Sequence, residues 1–194
     1  MAATFREWEK EVQPTFANSF WDYVYFLGLP RDGRLLEQLL GDTVLDIGSG
    51  IGWFAKGVAD NHIPTRVVEL NPQLMSGGLS LLQGVEHQCV AGVVGSLPFA
   101  DESFDCVVSL AAFPTVYNEA QVASVEDYAQ GYKEIWRVLR PGKRAFLSYI
   151  GQYALEKNLA AIAHVPNLTV QVHQLESDVM TNANRFVLTR SENE

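Results

Sequence analysis

The sequence predicts an α/β fold in which a doubly wound, mostly parallel sheet carries helices on both faces. Short apolar and β-branched runs alternate with helix-like segments, which is the pattern of a parallel sheet with crossover helices. The run from Phe104 to Phe113 is apolar almost throughout, as a strand buried on both faces should be. Two alternating polar and apolar segments near the C-terminus predict an antiparallel pair. We therefore expect a seven-stranded sheet with a C-terminal antiparallel strand.

Each element follows from a local pattern, taken in chain order. The predicted strands are 43–47, 65–70, 86–94, 104–113, 143–150, 168–176 and 184–190. The predicted helices are 51–60, a short one starting at Asn71-Pro72, 125–140 and 154–164. Pro141-Gly142 is expected to end the helix of 125–140, because proline lacks the backbone donor that a helix needs. Residues 1–40 are rich in Phe, Trp and Tyr, and we expect them to form helices that cap one end of the core.

Length and composition predict one globular domain, residues 1–194, made of the cap (1–40) and an α/β core (41–194). Hydrophobic residues make up 47% of the 194 residues and charged residues 19%, which suits a single folded core. The formal net charge is -9, and a surface that acidic repels phosphate backbones. We therefore expect no nucleic-acid partner, unless a local basic patch opposes the overall charge. The oligomeric state does not follow from the sequence.

Cysteine usage and hydropathy predict a cytoplasmic protein. Cys89 and Cys106 lie inside apolar runs and are interpreted as buried thiols in a reducing compartment. No apolar stretch reaches the length of a membrane span, and the N-terminal twelve residues are too charged for a signal peptide. Cys and His are scattered without ligand spacing, so we expect no metal site.

A glycine-rich turn marks the expected ligand site. The stretch VLDIGSGIGWF (Val44 to Phe54) is a strand that ends in an acid and opens into G-x-G-x-G. In such sheets the ligand lies beyond the carboxyl ends of the strands, where glycines let it approach the main chain. Glu69 ends the second strand, where a carboxylate can accept hydrogen bonds from a ribose diol. A dinucleotide turn would have a third glycine where Trp53 stands, which disfavours a nicotinamide-dependent oxidoreductase.

Four segments together resemble the class I S-adenosylmethionine-dependent methyltransferases, of the small-molecule type often called methyltransferase type 11. In chain order they read VLDIGSGIGWFA, VVELNP, GSLPFADESFDCVVS and EIWRVLRPGKRAFLS, and the resemblance covers about Val44 to Tyr149. It implies a Rossmann-like sheet, S-adenosylmethionine as cofactor and a small-molecule methyl acceptor. It also implies that the glycine turn lies against the methionine and ribose portion of the cofactor. The cofactor-binding residues that it indicates are Asp46, Gly48, Ser49, Gly50, Gly52, Glu69, Leu70, Val93, Val94, Ser109 and Leu110.

One position departs from the family pattern. Before L-P-F the family usually has G-D-A, whose Asp accepts a hydrogen bond from the adenine amino group, whereas this chain has Val93. The adenine ring could still be held by apolar packing and by backbone groups around Val93 and Val94. The departure keeps open a second hypothesis, a catalytically silent methyltransferase-like protein that binds a ligand or a partner.

Catalytic and substrate residues are less sharply indicated. Methyl transfer needs a general base only when the acceptor must lose a proton. His62, His87 and His164 precede strands and should lie at the wrong edge of the sheet, and His173 lies within the sixth strand. Candidates for contact with the substrate are Tyr117 and Glu119, after the fourth strand, and the N-terminal aromatic residues Phe20, Trp21, Tyr23 and Tyr25. Each of these rings could equally be ordinary core.

Overall fold

Helices and strands alternate along the part of the chain that the structure describes. The computed structural model describes residues 20–48, 52–70, 87–114, 123–174 and 183–192. Its helices are α1 (Phe20–Leu27), α2 (Gly33–Leu40), α3 (Trp53–Asp60), α4 (Val125–Val138) and α5 (Gln152–Ile162). Its strands are β1 (Thr43–Ile47), β2 (Arg66–Leu70), β3 (His87–Val90), β4 (Phe104–Leu110), β5 (Leu139–Gly151), β6 (Leu168–Gln174) and β7 (Ala183–Arg190). The short helix expected at Asn71-Pro72 lies outside the described residues.

The strands form one seven-stranded sheet in the order β3-β2-β1-β4-β5-β7-β6. Strand β1 pairs in parallel with both β2 and β4, and β7 is antiparallel to both β5 and β6. The mostly parallel sheet and its C-terminal antiparallel strand are confirmed. The chain order reverses between β1 and β4, and in such sheets this point opens a crevice beyond the strand ends.

Two apolar clusters cover the sheet, one on each face. On the face that we call the α1–α3 face, helices α1, α2 and α3 pack against every second strand residue, such as Val44 and Val67. On the opposite, α4–α5 face, helices α4 and α5 pack against the alternate residues, such as Leu45 and Val68. Because successive side chains of a strand point to opposite faces, each buried strand serves both clusters. The expectation of helices on both faces is confirmed.

The N-terminal segment is helical where it is described, and its two helices pack on one face of the sheet. Helices α1 and α2 bury Val24, Leu27, Leu36 and Leu40 completely in the cluster of the α1–α3 face. Residues 20–40 therefore belong to the single core, and α1 also reaches the carboxyl edge of the sheet through Tyr23, whereas a cap made of all residues 1–40 stays a prediction. Both helices carry apolar side chains at helical spacing, and they bury these side chains against the sheet face.

The junction between α4 and β5 also differs from the sequence expectation. Helix α4 begins with a capping box formed by Ser124 and Asp127, and it ends at Val138. The chain is already extended at Leu139, before Pro141-Gly142, because the region preceding a proline disfavours helical backbone angles. The pairing of β4 with β5 then skips from Leu139 to residue 144, so the Pro-Gly pair lies in an irregular part of β5 and not ahead of it.

The segment between β3 and β4 is anchored by Arg137 of α4. Its guanidinium donates hydrogen bonds to the carbonyl oxygens of Leu97 (3.0 Å) and Phe99 (2.7 Å) and pairs with Asp101 (2.8 Å). Glu134 binds the same guanidinium and accepts a hydrogen bond from the Leu97 N–H at 2.7 Å. The acid of L-P-F-x-D therefore pairs with the arginine of the segment EIWRVLRPG. This pairing holds the chain that follows β3 against α4.

Candidate functional site

Two buried carboxylates lie side by side where β1 and β2 end. Asp46 is the register partner of Glu69, and neither side chain is exposed to solvent. Strand alternation places both on the α1–α3 face, since their neighbours two residues back, Val44 and Val67, pack in that cluster. The sequence predicted both residues at this edge. What the structure adds is that they are adjacent and fully enclosed.

Tyr23 of α1 closes over Asp46. Its hydroxyl donates a hydrogen bond of 3.1 Å to Oδ1 of Asp46. Burial and then the charge of Glu69 raise the pKa of the Asp46 carboxyl well above its usual range, and the Tyr23 hydrogen bond opposes this only in part. Burial and then the charge of Asp46 also raise the pKa of Tyr23. The sequence makes Tyr23 a candidate substrate contact, but no sequence pattern predicts its hydrogen bond to Asp46.

The second oxygen of Asp46 fits a polar ligand. Oδ2 is buried and has no hydrogen-bond partner in the described part of the chain. A buried carboxylate oxygen without a partner is costly, and a ligand hydroxyl or ammonium group that donates to it would remove the cost. This feature suits the ribose and aminoacyl parts of a sulfonium nucleoside.

Gly48 and Gly52, at the two ends of the glycine turn after β1, both have left-handed backbone angles. Gly48 has φ +73°, and its N–H donates to the Leu70 carbonyl at 2.9 Å, which joins the ends of β1 and β2. A Cβ atom at Gly48 would overlap the Cβ of Ala112. Gly52, with φ +86°, precedes α3 in a left-handed conformation. The turn is therefore open to glycine almost alone at these two positions, whereas Ser49 and Gly50 lie outside the described residues.

The end of β4 borders the same turn from the other side. Ser109 is fully buried, and its hydroxyl donates to the Ile47 carbonyl at 3.0 Å and accepts from the Phe113 N–H at 3.0 Å. Leu110 is buried on the α1–α3 face. The side chain of Ser109 therefore ties β4 and the loop after it to β1. Cofactor contact at Ser109 and Leu110 stays a prediction.

The remaining predicted cofactor residues lie in different environments. Leu70 is buried on the α4–α5 face, away from its neighbour Glu69, and Val94 packs partly against that same cluster. The Val93 side chain is 63% exposed, in a tight turn closed by a 3.0 Å bond from the Ser96 N–H to the Val93 carbonyl. An exposed Val93 is open to a ligand edge, and it would carry a charged replacement without burying it.

The four N-terminal aromatic residues divide into core and surface. Phe20 and Tyr23 pack on Phe54 of α3, with ring centroids 5.8 Å and 5.4 Å away. Trp21 is half-buried beside Phe20, whereas Tyr25 is 50% exposed. Phe20 is thus part of the core. Tyr117 and Glu119 lie outside the described residues.

Helix α1 runs across the carboxyl edge of the sheet. Tyr23 reaches Asp46 of β1, and the carbonyl of Phe26 accepts a hydrogen bond from the Ser148 hydroxyl of β5. At the end of α1, the guanidinium of Arg185 in β7 fills the space where a Cβ of Gly28 would lie. The helix therefore covers the region in which an acceptor would meet a cofactor held at β1 and β2. Arg185 had no signal in the sequence beyond its place in an alternating strand.

Other titratable residues are distributed as expected where they are described. Cys106 is a buried free thiol, and burial followed by the charge of Asp105 raises its pKa. His62 and His164 lie in turns before β2 and β6, at the amino edge, whereas His173 lies near the end of β6 at the carboxyl edge and is exposed. The side chains of His87 and Cys89 are not described.

The described ranges contain neither a metal cluster nor a helix suited to a membrane. No group of three or more His, Cys, Asp or Glu side chains in those ranges could hold a metal ion. None of the helices described there combines the length and the apolar character that crossing a membrane requires.

Each curated relative matches part of this chain, and the match covers part of the relative's own length. A demethylmenaquinone methyltransferase from Chlorobaculum parvum is 31% identical over 157 residues, which are 75% of this chain and 59% of that protein. An uncharacterized methyltransferase from Mycobacterium sp. (strain JLS) is 37% identical over 110 residues, which are 56% of this chain and 39% of that protein. The chain thus spans less than two thirds of the length of these relatives.

Solved structures share the fold. The methyltransferase in the complex with the Haloferax volcanii Trm112 methyltransferase activator has a TM-score of 0.66 at 16% identity, and the superposition covers 98% of this chain and 99% of that one. A SAM-dependent methyltransferase from Methanosarcina mazei has a TM-score of 0.60 at 17% identity and covers 82% of this chain and 98% of that one. At these identities the likeness establishes the fold alone.

The family model described as a methyltransferase domain matches residues 45–147, more than half of the 194-residue chain. The matched range begins in β1, includes the glycine turn and both buried carboxylates, and ends in β5. S-adenosylmethionine is the cofactor of this family, as the sequence predicted. The chain belongs to the class I S-adenosylmethionine-dependent methyltransferases.

Proposed function

We propose that this protein transfers a methyl group from S-adenosylmethionine to a small-molecule acceptor. The observation that carries the proposal is the enclosed pair of carboxylates, Asp46 and Glu69, beside the left-handed Gly48 at the point where the strand order reverses. Glu69 would hold the ribose hydroxyls, and Oδ2 of Asp46 would accept a further hydrogen bond from the cofactor. The name of the Chlorobaculum parvum relative supports a small molecule as the acceptor.

The cofactor supplies the reactive methyl group, and the protein's part is to orient the reactants and exclude water. Helix α1 is placed to do both, because it lies over the carboxyl edge with Tyr23 on Asp46 and Phe26 on Ser148. No base is required when the acceptor atom carries a free electron pair at neutral pH. Tyr117 and Glu119 stay predictions as substrate contacts.

Binding of the demethylated cofactor tests the proposal most directly. Isothermal titration should show S-adenosylhomocysteine and S-adenosylmethionine binding, with no binding of NAD. Glu69→Gln should weaken S-adenosylhomocysteine binding roughly 10- to 150-fold, because a charged acceptor to two hydroxyls contributes about 1.5–3 kcal/mol. Glu37→Gln, an exposed carboxylate in α2, is the matched control and should bind like the wild type.

Two outcomes would contradict the proposal. Wild-type protein that binds neither S-adenosylmethionine nor S-adenosylhomocysteine would rule out the cofactor site, and a folded Glu69→Gln variant with wild-type affinity would exclude Glu69 from it. Methyl transfer from labelled S-adenosylmethionine to demethylmenaquinone and to other small acceptors then separates an enzyme from a silent member of the family. Tight cofactor binding with no transfer to any acceptor would favour the silent protein.

A further inference from the structure

Arg185 differs from the other sheltered arginines of the described residues. Arg137, Arg140 and Arg190 each form an ion pair with an acid at 2.7–2.8 Å. Arg185 is half-buried, yet it makes no ion pair or hydrogen bond within the described ranges, and its Nε atom is buried without a partner. The chain has a net charge of -9, so acidic side chains outnumber the basic ones with which they can pair. A sheltered guanidinium without an acid is therefore suited to binding an anion from outside the chain.

The position of Arg185 is the carboxyl edge of the sheet, on the α1–α3 face. It is the register partner of Ser148 in β5 and of His173 in β6, and Ser148 is in turn the partner of Leu110 at the end of β4. Adjacent strands lie about 4.8 Å apart, so Arg185 lies about 10 Å from β4 and about 14 Å from β1. Asp46 pairs with Val108, two residues before Leu110, so the backbone distance from Arg185 to Asp46 is about 16 Å. A small acceptor can span that distance.

A purely structural role for Arg185 would be to cap the carboxyl end of α1, and the hydrogen bonds there argue against it. The carbonyl oxygens of Val24, Tyr25 and Phe26 already accept bonds from the Leu29 N–H, the Gly28 N–H and the Ser148 hydroxyl. The guanidinium lies against Gly28 without bonding to any of them. Burial lowers the pKa of Arg185, and the neighbouring Tyr25 opposes the shift, so the group is desolvated and has no acid beside it within the described ranges.

We propose that Arg185 anchors the methyl acceptor through an anionic group, a carboxylate or a phosphate. A guanidinium matches either anion with two parallel hydrogen bonds from its planar N–H donors. Tyr25, half-exposed and next to Arg185, offers an aromatic ring beside the anion. The inference rests on the proposed methyl transfer and narrows its acceptor to anionic small molecules.

Three probes with one ring system test the charge requirement. Isothermal titration into the protein saturated with S-adenosylhomocysteine uses 1-naphthoate, 1-naphthyl phosphate and the neutral 1-naphthamide. We expect the wild type to bind at least one anion about tenfold or more tightly than the amide, and the preferred anion identifies carboxylate or phosphate as the group. Arg185→Gln should lose the preference and keep wild-type affinity for S-adenosylhomocysteine.

Arg144→Gln is the matched control, because Arg144 is an exposed arginine of β5 near the opposite edge and its loss changes the net charge equally. It should keep the preference for the anion. Arg185→Lys covers the case in which Arg185→Gln does not fold. Lysine retains the positive charge but lacks the paired N–H donors of a guanidinium, so this variant should bind the anion more weakly than the wild type.

The failures are distinguishable. Equal binding of the three probes by the wild type, or a preference that survives in Arg185→Gln, would overturn the role of Arg185 while cofactor binding stands. Absence of S-adenosylhomocysteine binding in the wild type would overturn the proposed function instead. A variant that loses only stability, with unchanged anion preference, would make Arg185 a structural support of α1.

Discussion

Asp46 shows how a single site residue works against the stability of the protein that carries it. Its pKa is raised chiefly by burial and next by the charge of Glu69, so the folded state holds the proton more tightly than the unfolded chain does. Such a group contributes stability below its unfolded pKa, and that contribution is lost as the pH rises through the folded value. The buried Asp46 carboxyl therefore does not stabilise the fold at high pH, which is consistent with a role in ligand binding.

The first residue-scale prediction follows from that sign. Asp46→Asn cannot ionise, so its free energy of unfolding relative to wild type should rise between about pH 5 and about pH 8. Urea unfolding of the ligand-free proteins at both pH values measures this difference. Asp42→Asn, at an exposed position, is the matched loss of one carboxylate. A pH-independent difference for Asp46→Asn would mean that Asp46 titrates alike in the folded and unfolded chains.

The second residue-scale prediction concerns the departure at Val93. Because its side chain is 63% exposed, Val93→Asp buries no charge and should leave the ligand-free stability unchanged. If residue 93 meets the adenine edge, the new acceptor should raise the affinity for S-adenosylhomocysteine by up to about tenfold. Val172→Asp, at an exposed valine of β6, is the control and should bind like the wild type. Unchanged affinity in Val93→Asp would move the adenine site away from this turn.

At the scale of the element, the turn between β1 and α3 depends on glycine for both angle and space. A left-handed conformation costs a non-glycine residue roughly 1–2 kcal/mol, and the overlap with Ala112 adds to that cost at Gly48. At Gly33, in the first turn of α2, an added Cβ atom would meet nothing within 4 Å. Substitution by alanine is therefore expected to destabilise the protein at Gly48 and not at Gly33.

We expect Gly48→Ala to lower the free energy of unfolding by at least roughly 1–2 kcal/mol and to weaken S-adenosylhomocysteine binding. Gly33→Ala should be neutral or stabilising by about 0.4–1 kcal/mol and should not affect binding. Denaturant unfolding and titration of both variants measure the contrast. If Gly48→Ala were as stable as Gly33→Ala and bound the ligand normally, the turn would not be a constrained cradle for the cofactor.

At the scale of the whole molecule, α1 links the proposed cofactor site at β1 and β2 to the proposed acceptor anchor in β7. This helix touches β1 through Tyr23 and β5 through Phe26, and Gly28, which directly follows the helix, lies against Arg185 of β7. Covers of this kind sequester a reaction from water when substrate is bound. Ligand binding at β1 and β2 should therefore increase the local stability of α1.

Hydrogen exchange tests this coupling. S-adenosylhomocysteine should slow exchange in peptides that cover α1, because ligand contacts at Asp46 stabilise the helix that closes over it. Peptides from α5, on the opposite face, serve as the internal control and should change little. Equal protection of α1 with and without ligand would make its aromatic residues ordinary core.

The sequence by itself determined the layered α/β fold, the antiparallel end of the sheet, the glycine turn and the acids at the ends of β1 and β2. These follow from local rules: the period of apolar residues, the backbone angles open only to glycine, and the shared edge at which parallel strands end. The order of the family segments in the chain was also sufficient to predict the cofactor.

Only the tertiary structure decided how those parts meet. The packing of α1 and α2 on a sheet face, the bond from Tyr23 to Asp46 and the enclosure of Asp46 with Glu69 depend on contacts between residues far apart in sequence. Arg185 shows this most clearly. In the sequence Arg185 is one polar residue of an alternating strand. It becomes a candidate anchor only because β7 lies between β5 and β6, with its first residues at the carboxyl edge of the sheet. The physical reason is that desolvation and charge pairing, which give a titratable group its role, are properties of its three-dimensional surroundings.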